Sequence, residues 1–177
     1  NAHLVFRCPE ETIKAIYDDL FIGENEDGES ELCFAHAPQA DAFTRLALQQ
    51  SKWFVSDEDR FSMQALADLL REALSRGLLT TDDLYTDENL VVARLLSDPV
   101  TAAHWRDYRR IRGTKSGKTR PENVYAVKVR AKKRSIDPLV QTEDGLKRFT
   151  AISNDYAAQL AAFRADDFDR WVWASFG

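Results

Sequence analysis

Polar and apolar residues alternate with a period of two along the stretch from Val124 to Gln141. One set of alternate positions is aromatic, aliphatic or small and comprises Tyr125, Val127, Val129 and Ala131. The other set is cationic and comprises Lys128, Arg130, Lys132 and Arg134. Because successive side chains of a β-strand point to opposite faces, this pattern predicts a strand with one buried face and one cationic face.

The residues before this stretch show helical periodicity instead. Apolar side chains recur at intervals of three and four through most of the first 112 residues, which predicts amphipathic helices. The predicted helix starts are at Pro9, Pro38, Ser56, Thr86-Asp87-Glu88 and Asp98-Pro99. Two short strands are also expected, at His3–Arg7 and Glu31–Ala35.

Strand patterns dominate the last third of the chain. We expect strands at Val124–Arg134, Pro138–Gln141, Leu146–Ala151 and Phe168–Phe176, and one helix at Asp155–Arg164. Asp144-Gly145 predicts a hairpin turn between two of these strands. The predicted fold is therefore α+β, with a mostly helical first part followed by a small antiparallel sheet with one packed helix. The predicted boundaries are residues 1–112 for the helical region, 113–123 for a basic surface loop and 124–177 for a small α+β subdomain.

Charge is distributed unevenly over a composition that is otherwise typical of a globular protein. The net charge is −5, yet twelve of the 24 Lys and Arg residues fall between Arg106 and Arg134. The acidic residues in that interval are Asp107 and Glu122. Such a split indicates a localised anion-binding region, an acidic partner surface, or pairing between the two halves of the chain.

Two interpretations of the cationic row stay open. Lys128, Arg130, Lys132 and Arg134 form either a solvated strand face, paired with acidic groups of the first half, or a site for phosphates. Trp171 and Trp173 occupy alternate positions of the closing strand and therefore share a face. They are either core residues or a platform on which bases stack beside the cationic strands.

No convincing catalytic or metal-binding constellation is present in the sequence. The three histidines are scattered, and neither a Cys-His nor a Ser-His-Asp arrangement is indicated. The run Gly113–Thr119 has three residues between its glycines, whereas a phosphate-binding loop needs four.

We expect Cys8 and Cys33 to be buried free thiols. No apolar run approaches the roughly 20 residues that span a bilayer, and we expect a cytoplasmic protein.

Two longer stretches resemble parts of one known family. Residues Arg45–Thr86, RLALQQSKWFVSDEDRFSMQALADLLREALSRGLLTTDDLYT, are similar to the helical region that follows the catalytic core of HD-domain phosphohydrolases of the deoxynucleoside-triphosphohydrolase type. Residues Val129–Phe176 resemble the C-terminal segment of that family, in which a charged strand leads to an Ile-Asp-Pro-Leu-Val-like turn, a glycine hairpin and a closing aromatic strand.

This resemblance implies that the chain is the non-catalytic C-terminal region of a longer metal-dependent (deoxy)nucleotide phosphohydrolase. The family's His and His-Asp metal motifs have no counterpart here. The divalent metal is therefore expected to bind in a missing catalytic part of the protein, and no cofactor is expected in this chain. Residues 61–64, Phe-Ser-Met-Gln, stand where the family often has a His-Lys pair that contacts nucleotide, so no site residue is carried over. The expected roles are subunit packing in a homo-oligomer and regulatory binding of an anion or nucleotide. The alternatives are a nucleic-acid-binding module that uses the basic strand face, and a plain oligomerisation domain.

Overall fold

The computed structural model describes residues 6–176 and has the α+β class that the sequence predicts. The helices are α1 (Glu10–Asp18), α2 (Ala37–Phe54), α3 (Asp57–Ser75), α4 (Glu88–Leu96), α5 (Pro99–Arg109), α6 (Phe149–Ile152) and α7 (Asn154–Ala165), with a 3-10 turn at Asp82–Tyr85. The strands are β1 (Leu20–Glu24), β2 (Ser30–Phe34), β3 (Ile111–Gly117), β4 (Ala126–Val127), β5 (Leu139–Thr142), β6 (Gly145–Arg148) and β7 (Trp171–Phe176).

The chain folds into two compact units, and each is discontinuous in sequence. The first unit comprises Asn1–Phe54 and Lys132–Asp167, and the second comprises Val55–Ala131 and Phe168–Gly177. These boundaries differ from the predicted division into residues 1–112, 113–123 and 124–177. The difference arises because strands from the two ends of the chain pair with each other, and a linear reading of the sequence cannot detect such pairing.

The first unit contains a four-stranded sheet in the order β1-β2-β5-β6. The outer pairs are antiparallel hairpins, and β2 runs parallel to β5, with Cys33 beside Leu139. Both cysteines are buried thiols, as predicted. Gly23 on β1 is tightly enclosed, because an added Cβ would lie 2.7 Å from the Cys33 Sγ.

Arg148 on β6 connects three parts of the first unit. Its guanidinium donates to both carboxylate oxygens of Glu26, at 2.9 and 2.7 Å, and to both of Glu31, at 2.6 and 3.0 Å. It also donates to the main-chain oxygen of Asp137 at 3.0 Å. The hydrogen bonds from Arg148 hold the pKa of both Glu26 and Glu31 below the usual value.

The Ile136-Asp137-Pro138 turn is held by hydrogen bonds within the first unit. The Asp137 carboxylate accepts from the Thr150 amide at 2.9 Å and from the Thr150 hydroxyl at 2.6 Å, at the start of α6. The Tyr156 hydroxyl donates to the Ile136 carbonyl. The turn therefore fixes where β5 begins relative to α6 and α7.

The second unit packs α3, α4 and α5 with a three-stranded antiparallel sheet in the order β3-β7-β4. Phe61 of α3 forms one apolar cluster with Val127 and Val172 of the sheet. A second cluster lies among the helices and contains Leu69, Ala73, Leu79 and Leu95.

The buried guanidinium of Arg60 joins the separate segments of the second unit. The Arg60 side chain is 4% exposed and pairs with Asp57 at 2.6 Å. It donates to the main-chain oxygens of Val55 at 3.2 Å, Val129 at 2.6 Å and Phe168 at 2.9 Å. A buried cation is tolerated only when such partners replace its water, so these four acceptors determine where the segments meet.

The predicted helix starts are confirmed where a capping side chain is present. The Ser56 hydroxyl accepts from the Asp59 amide at 3.1 Å, and Asp87 and Asp98 cap α4 and α5 in the same way. Pro9 immediately precedes α1, and α2 begins at Ala37, one residue before Pro38. The turn at Asp144-Gly145 also forms, with Gly145 at φ 102°.

Several predicted strands need correction. The predicted basic loop at 113–123 is wrong in its first part, since β3 extends to Gly117 and pairs with β7. The predicted strand Val124–Arg134 pairs with another strand only at Ala126–Val127 among the described residues, although none of it is helical. The return strand ends at Arg148 because α6 begins at Phe149. Strand β1 was not predicted, and the predicted strand His3–Arg7 falls mostly outside the described residues.

We predict that Arg60→Met destabilises the protein strongly. The substitution leaves main-chain oxygens and the Asp57 carboxylate without their buried donor, which costs roughly 3–5 kcal/mol. Chemical denaturation followed by circular dichroism measures the free energy of unfolding. Arg94→Met is the matched control, because the Arg94 side chain is 53% exposed and its ion pair is long, at 3.9 Å. Equal effects of the two substitutions would contradict the role assigned to Arg60.

We also predict an acid-sensitive contribution from Asp57. Burial tends to raise its pKa, but hydrogen bonds from Ser116, Arg170 and Arg60 outweigh burial and lower the pKa below the usual value. The contribution is therefore fully present above the unfolded-state pKa of about 4, and it is lost as pH falls through the lower folded-state pKa. Asp57→Asn should lower stability near neutral pH and flatten its dependence on pH below about 4. An unchanged pH profile of the unfolding free energy would argue against this assignment.

Candidate functional site

Strand β7 places two indole rings on the same face of the second sheet. Val172, between them, is 1% exposed and belongs to the core, so Trp171 and Trp173 lie on the opposite face, where both are partly exposed. The register sets Trp173 between Lys115 of β3 and Ala126 of β4, and it sets Trp171 opposite Gly117. The predicted sharing of one face by the two tryptophans is therefore confirmed.

Three cations accompany these rings. Lys115 is the direct cross-strand neighbour of Trp173. The guanidinium carbon of Arg120 lies 5.2 Å from the ring centroid of Trp171, within the range of a cation–π contact. Lys128 follows Ala126 by two residues and projects to the same side, since Val127 and Val129 pack into the core on the other side. We call Trp171, Trp173, Lys115, Arg120 and Lys128 the tryptophan face.

The two indoles differ in how firmly they are held. Trp173 lies across Gly117, where an added Cβ would approach its ring to 3.3 Å. Part of Trp173 therefore packs against the main chain of β3. The Trp171 ring instead contacts Arg120, a long side chain on the exposed segment after β3. A small movement of the Arg120 side chain would consequently uncover the face of the Trp171 ring.

One carboxylate partly neutralises the tryptophan face. Lys128 pairs with Asp169 at 3.1 Å, with 39% and 66% of the two side chains exposed. Exposed pairs of this kind contribute about 0–1 kcal/mol, because water solvates both ions well. A phosphate group can therefore replace Asp169 as the partner of Lys128 at little cost. Aromatic rings beside cations can bind the base and the phosphates of a nucleotide together.

The predicted cationic row keeps its alternation but does not form one site. Exposed Lys128, Arg130, Lys132 and Arg134 alternate with more buried neighbours. Lys128 and Arg130 belong to the second unit, whereas Lys132 and Arg134 belong to the first. Within residues 6–176, no ion pair forms at Arg130, Lys132 or Arg134. Lys128 is the member of the row that joins the tryptophan face.

The sequence reasoning missed Lys115 and Arg120 as members of this face. Both lie in the stretch interpreted as a basic loop. The sequence does contain one indication of a strand here, since Gly113, Lys115 and Gly117 are spaced two residues apart, which is the period of a β-strand. Small residues at alternate positions also leave room for large rings on the neighbouring strand, as Gly117 does for Trp173.

Both described histidines lie within hydrogen-bond distance of a carboxylate. His36 Nδ1 lies 2.5 Å from an Asp19 carboxylate oxygen, and His104 Nδ1 lies 2.8 Å from a Glu72 carboxylate oxygen. Among residues 6–176, no group of three or more His, Cys, Asp or Glu side chains is arranged to hold a metal ion. No helix in the same range is both long and apolar enough to cross a membrane.

Comparison with protein-family models, with curated proteins and with solved structures found no match to this chain.

Proposed function

We propose that this chain is a non-catalytic nucleotide-binding module, and that the tryptophan face is its binding site. The observation that carries the proposal is the placement of Trp171 and Trp173 beside Lys115, Arg120 and Lys128 on one face of one sheet. A nucleotide supplies both groups that such a face can bind. Its base stacks on an indole, and its phosphates pair with the ammonium and guanidinium groups.

The geometry favours Trp171 as the stacking ring and Lys115 as a phosphate contact. Trp171 is in contact with the movable guanidinium of Arg120, so a base can take the place of Arg120 over the ring while Arg120 turns to the phosphates. Stacking of a base on an aromatic side chain contributes about 1–3 kcal/mol, as judged from alanine substitutions. Trp173, which packs on Gly117, holds the neighbouring surface in place.

We further propose that this module accompanies a metal-dependent HD-type (deoxy)nucleotide phosphohydrolase, in which it regulates activity and contributes to subunit packing in the cytoplasm. The likeness of Arg45–Thr86 and Val129–Phe176 to that family supports this wider context. The divalent metal would then bind in a separate catalytic part. The full reading frame tests this context directly: a His-Asp motif upstream is expected, and its absence would overturn the assignment to the family.

The binding proposal is tested by isothermal titration with nucleoside and deoxynucleoside triphosphates. Trp171→Ala should weaken binding by about five- to a hundredfold, since 1–3 kcal/mol of stacking is lost. Lys115→Gln should weaken the binding of triphosphates more than that of nucleosides, because it removes a charge that faces phosphate. Trp53→Phe is the control, since Trp53 belongs to the first unit. Unchanged affinity in Trp171→Ala, or the absence of any binding at millimolar nucleotide, would refute the proposal.

Single-stranded nucleic acid is the competing ligand for the same face, and titration with oligonucleotides distinguishes the two. A mononucleotide site gives similar affinities for a triphosphate and for oligonucleotides of increasing length. A nucleic-acid site gives affinity that rises with length and falls steeply with added salt, because each phosphate contact releases counterions. Affinity that rises with oligonucleotide length would show that the ligand is single-stranded nucleic acid and not a mononucleotide.

A second candidate function, self-association, is favoured by an apolar pair on the first sheet. Ile22 and Leu32 are cross-strand partners on β1 and β2, and they are 67% and 57% exposed. Within residues 6–176 strand β1 is an edge of its sheet, and a strand edge of this kind can pair with another strand through its outer main-chain groups. An apolar pair beside an open edge is typical of a surface that a second copy of the chain covers.

We predict that Ile22→Lys shifts the protein toward the monomer. A lysine at this position places a charge in the apolar contact and blunts the sheet edge. Sedimentation velocity over a range of concentrations measures the change. Tyr85→Lys is the matched control, because Tyr85 is 91% exposed and lies in the 3-10 turn of the second unit. A wild-type protein that is monomeric at high concentration would eliminate this candidate.

A further inference from the structure

A cavity of about 480 Å³ lies within the second unit, on the side of the sheet opposite the tryptophan face. Ala174 of β7 contributes to its wall, whereas the neighbouring Trp173 projects to the other side. The remaining walls come from α3, from α5, from Ile111 at the start of β3, from the end of β7 and from residues 123–125. Its size is within the range of 300–1,000 Å³ that is typical of sites for small organic ligands.

The walls of this cavity are mainly apolar and aromatic. Phe61 is 2% exposed and meets the ring of Tyr125 edge-on, with centroids 5.8 Å apart. Tyr108 and Phe176 add two further rings, and Leu69 adds an aliphatic surface. Such walls provide dispersion contacts for a hydrocarbon or aromatic group. Electron-rich ring faces also attract a cation at close range.

All of the charged lining residues other than His104 are acidic. They are Asp68, Glu72 and Asp107, and neither Lys nor Arg lines the cavity in the part of the chain that the structure describes. Asp68 accepts from the Tyr125 hydroxyl at 2.6 Å and pairs with Arg71 at 2.7 Å, and a Glu72 carboxylate oxygen lies 2.8 Å from His104 Nδ1. Asp107 is exposed, and within residues 6–176 its carboxylate forms no ion pair or side-chain hydrogen bond.

The hydrogen bond between Tyr125 and Asp68 fixes the protonation state of both groups at the cavity wall: the phenol is neutral and the carboxylate is ionised. Burial, together with the hydrogen bond to Asp68, raises the pKa of Tyr125, so the phenol stays a neutral donor. Hydrogen bonds from Tyr125, Gln64 and Arg71 overcome the effect of burial and lower the pKa of Asp68, so Asp68 stays ionised at neutral pH. Arg71 offsets the charge of Asp68, so among the lining carboxylates of residues 6–176 Asp107 is the one without an ion-pair partner, and it favours a cation over a nucleotide phosphate.

We propose that this cavity binds a small organic cation, an amphiphilic amine whose aromatic or aliphatic part fills the apolar space and whose ammonium group pairs with Asp107. The site is separate from the tryptophan face and selects the opposite charge. The ammonium group gains a charged partner, because no other side chain within residues 6–176 pairs with the Asp107 carboxylate. The apolar part gains burial against Phe61, Tyr125 and Leu69, which contributes roughly 25 cal/mol for each Å² removed from water.

Three ligands that share an indole ring and differ in charge test this proposal. They are tryptamine, which is cationic, 3-methylindole, which is neutral, and indole-3-acetate, which is anionic. Titration followed by ¹⁵N–¹H correlation spectra should show tryptamine binding most tightly and indole-3-acetate at least about tenfold more weakly, because like charges repel at a partly desolvated site. The shifted amides should include those of α3 and α5. Equal affinity for the three ligands, or no binding of tryptamine up to about 10 mM, would overturn the proposal.

Two variants locate the site. Asp107→Asn should weaken tryptamine binding by about two- to fivefold and leave 3-methylindole binding unchanged, since it removes charge with little change in shape. Asp82→Asn is the matched control, because Asp82 is exposed in the same unit but does not line the cavity.

Ala65→Trp should fill the cavity and abolish the binding of both ligands. Because Ala65→Trp also affects packing, its melting temperature and its nucleotide binding are measured in parallel. Tryptamine affinity that is equal in the wild type and in Asp107→Asn would refute the assigned pairing.

Discussion

The buried guanidinium of Arg60 imposes the main constraint on the second unit. Desolvation of a cation is costly, and it is offset here by the Asp57 carboxylate and by three main-chain oxygens from separate segments. Those oxygens belong to Val55, Val129 and Phe168, so the two pieces of chain that make up the unit meet at one side chain. The same arrangement fixes the entry to β7. It therefore sets where Trp171 lies on one side of the sheet and where Ala174 lies on the other.

The first unit has a comparable junction at a more exposed position. Arg148 connects the β6 strand with Glu26, Glu31 and the main chain at Asp137, and these groups come from both halves of the chain. Each unit is thus completed by residues far apart in sequence, and each has an arginine at the place where they join. Arginine suits this role because its five donors can serve several acceptors at once.

Features that depend on neighbouring residues could be predicted from the sequence, whereas features that depend on distant pairing could not. The cap at Ser56 and the turn at Asp144-Gly145 are local and were predicted. The shared face of Trp171 and Trp173 follows from alternation alone. The pairing of β3 with β7 joins segments more than fifty residues apart, so Lys115 could not be placed beside Trp173. The cavity was missed for the same reason, since Phe61 and Asp107 meet only through tertiary packing.

The positions of the two cysteines and of the tryptophans allow the unfolding of the two units to be monitored with different intrinsic probes. Cys8 and Cys33 are 6% and 0% exposed, and both belong to the first unit. A thiol reagent therefore reaches them only when that unit opens. Three of the four tryptophans, at positions 105, 171 and 173, belong to the second unit. The alkylation rate consequently reports on the first unit, whereas the intrinsic emission reports mainly on the second, without any added label.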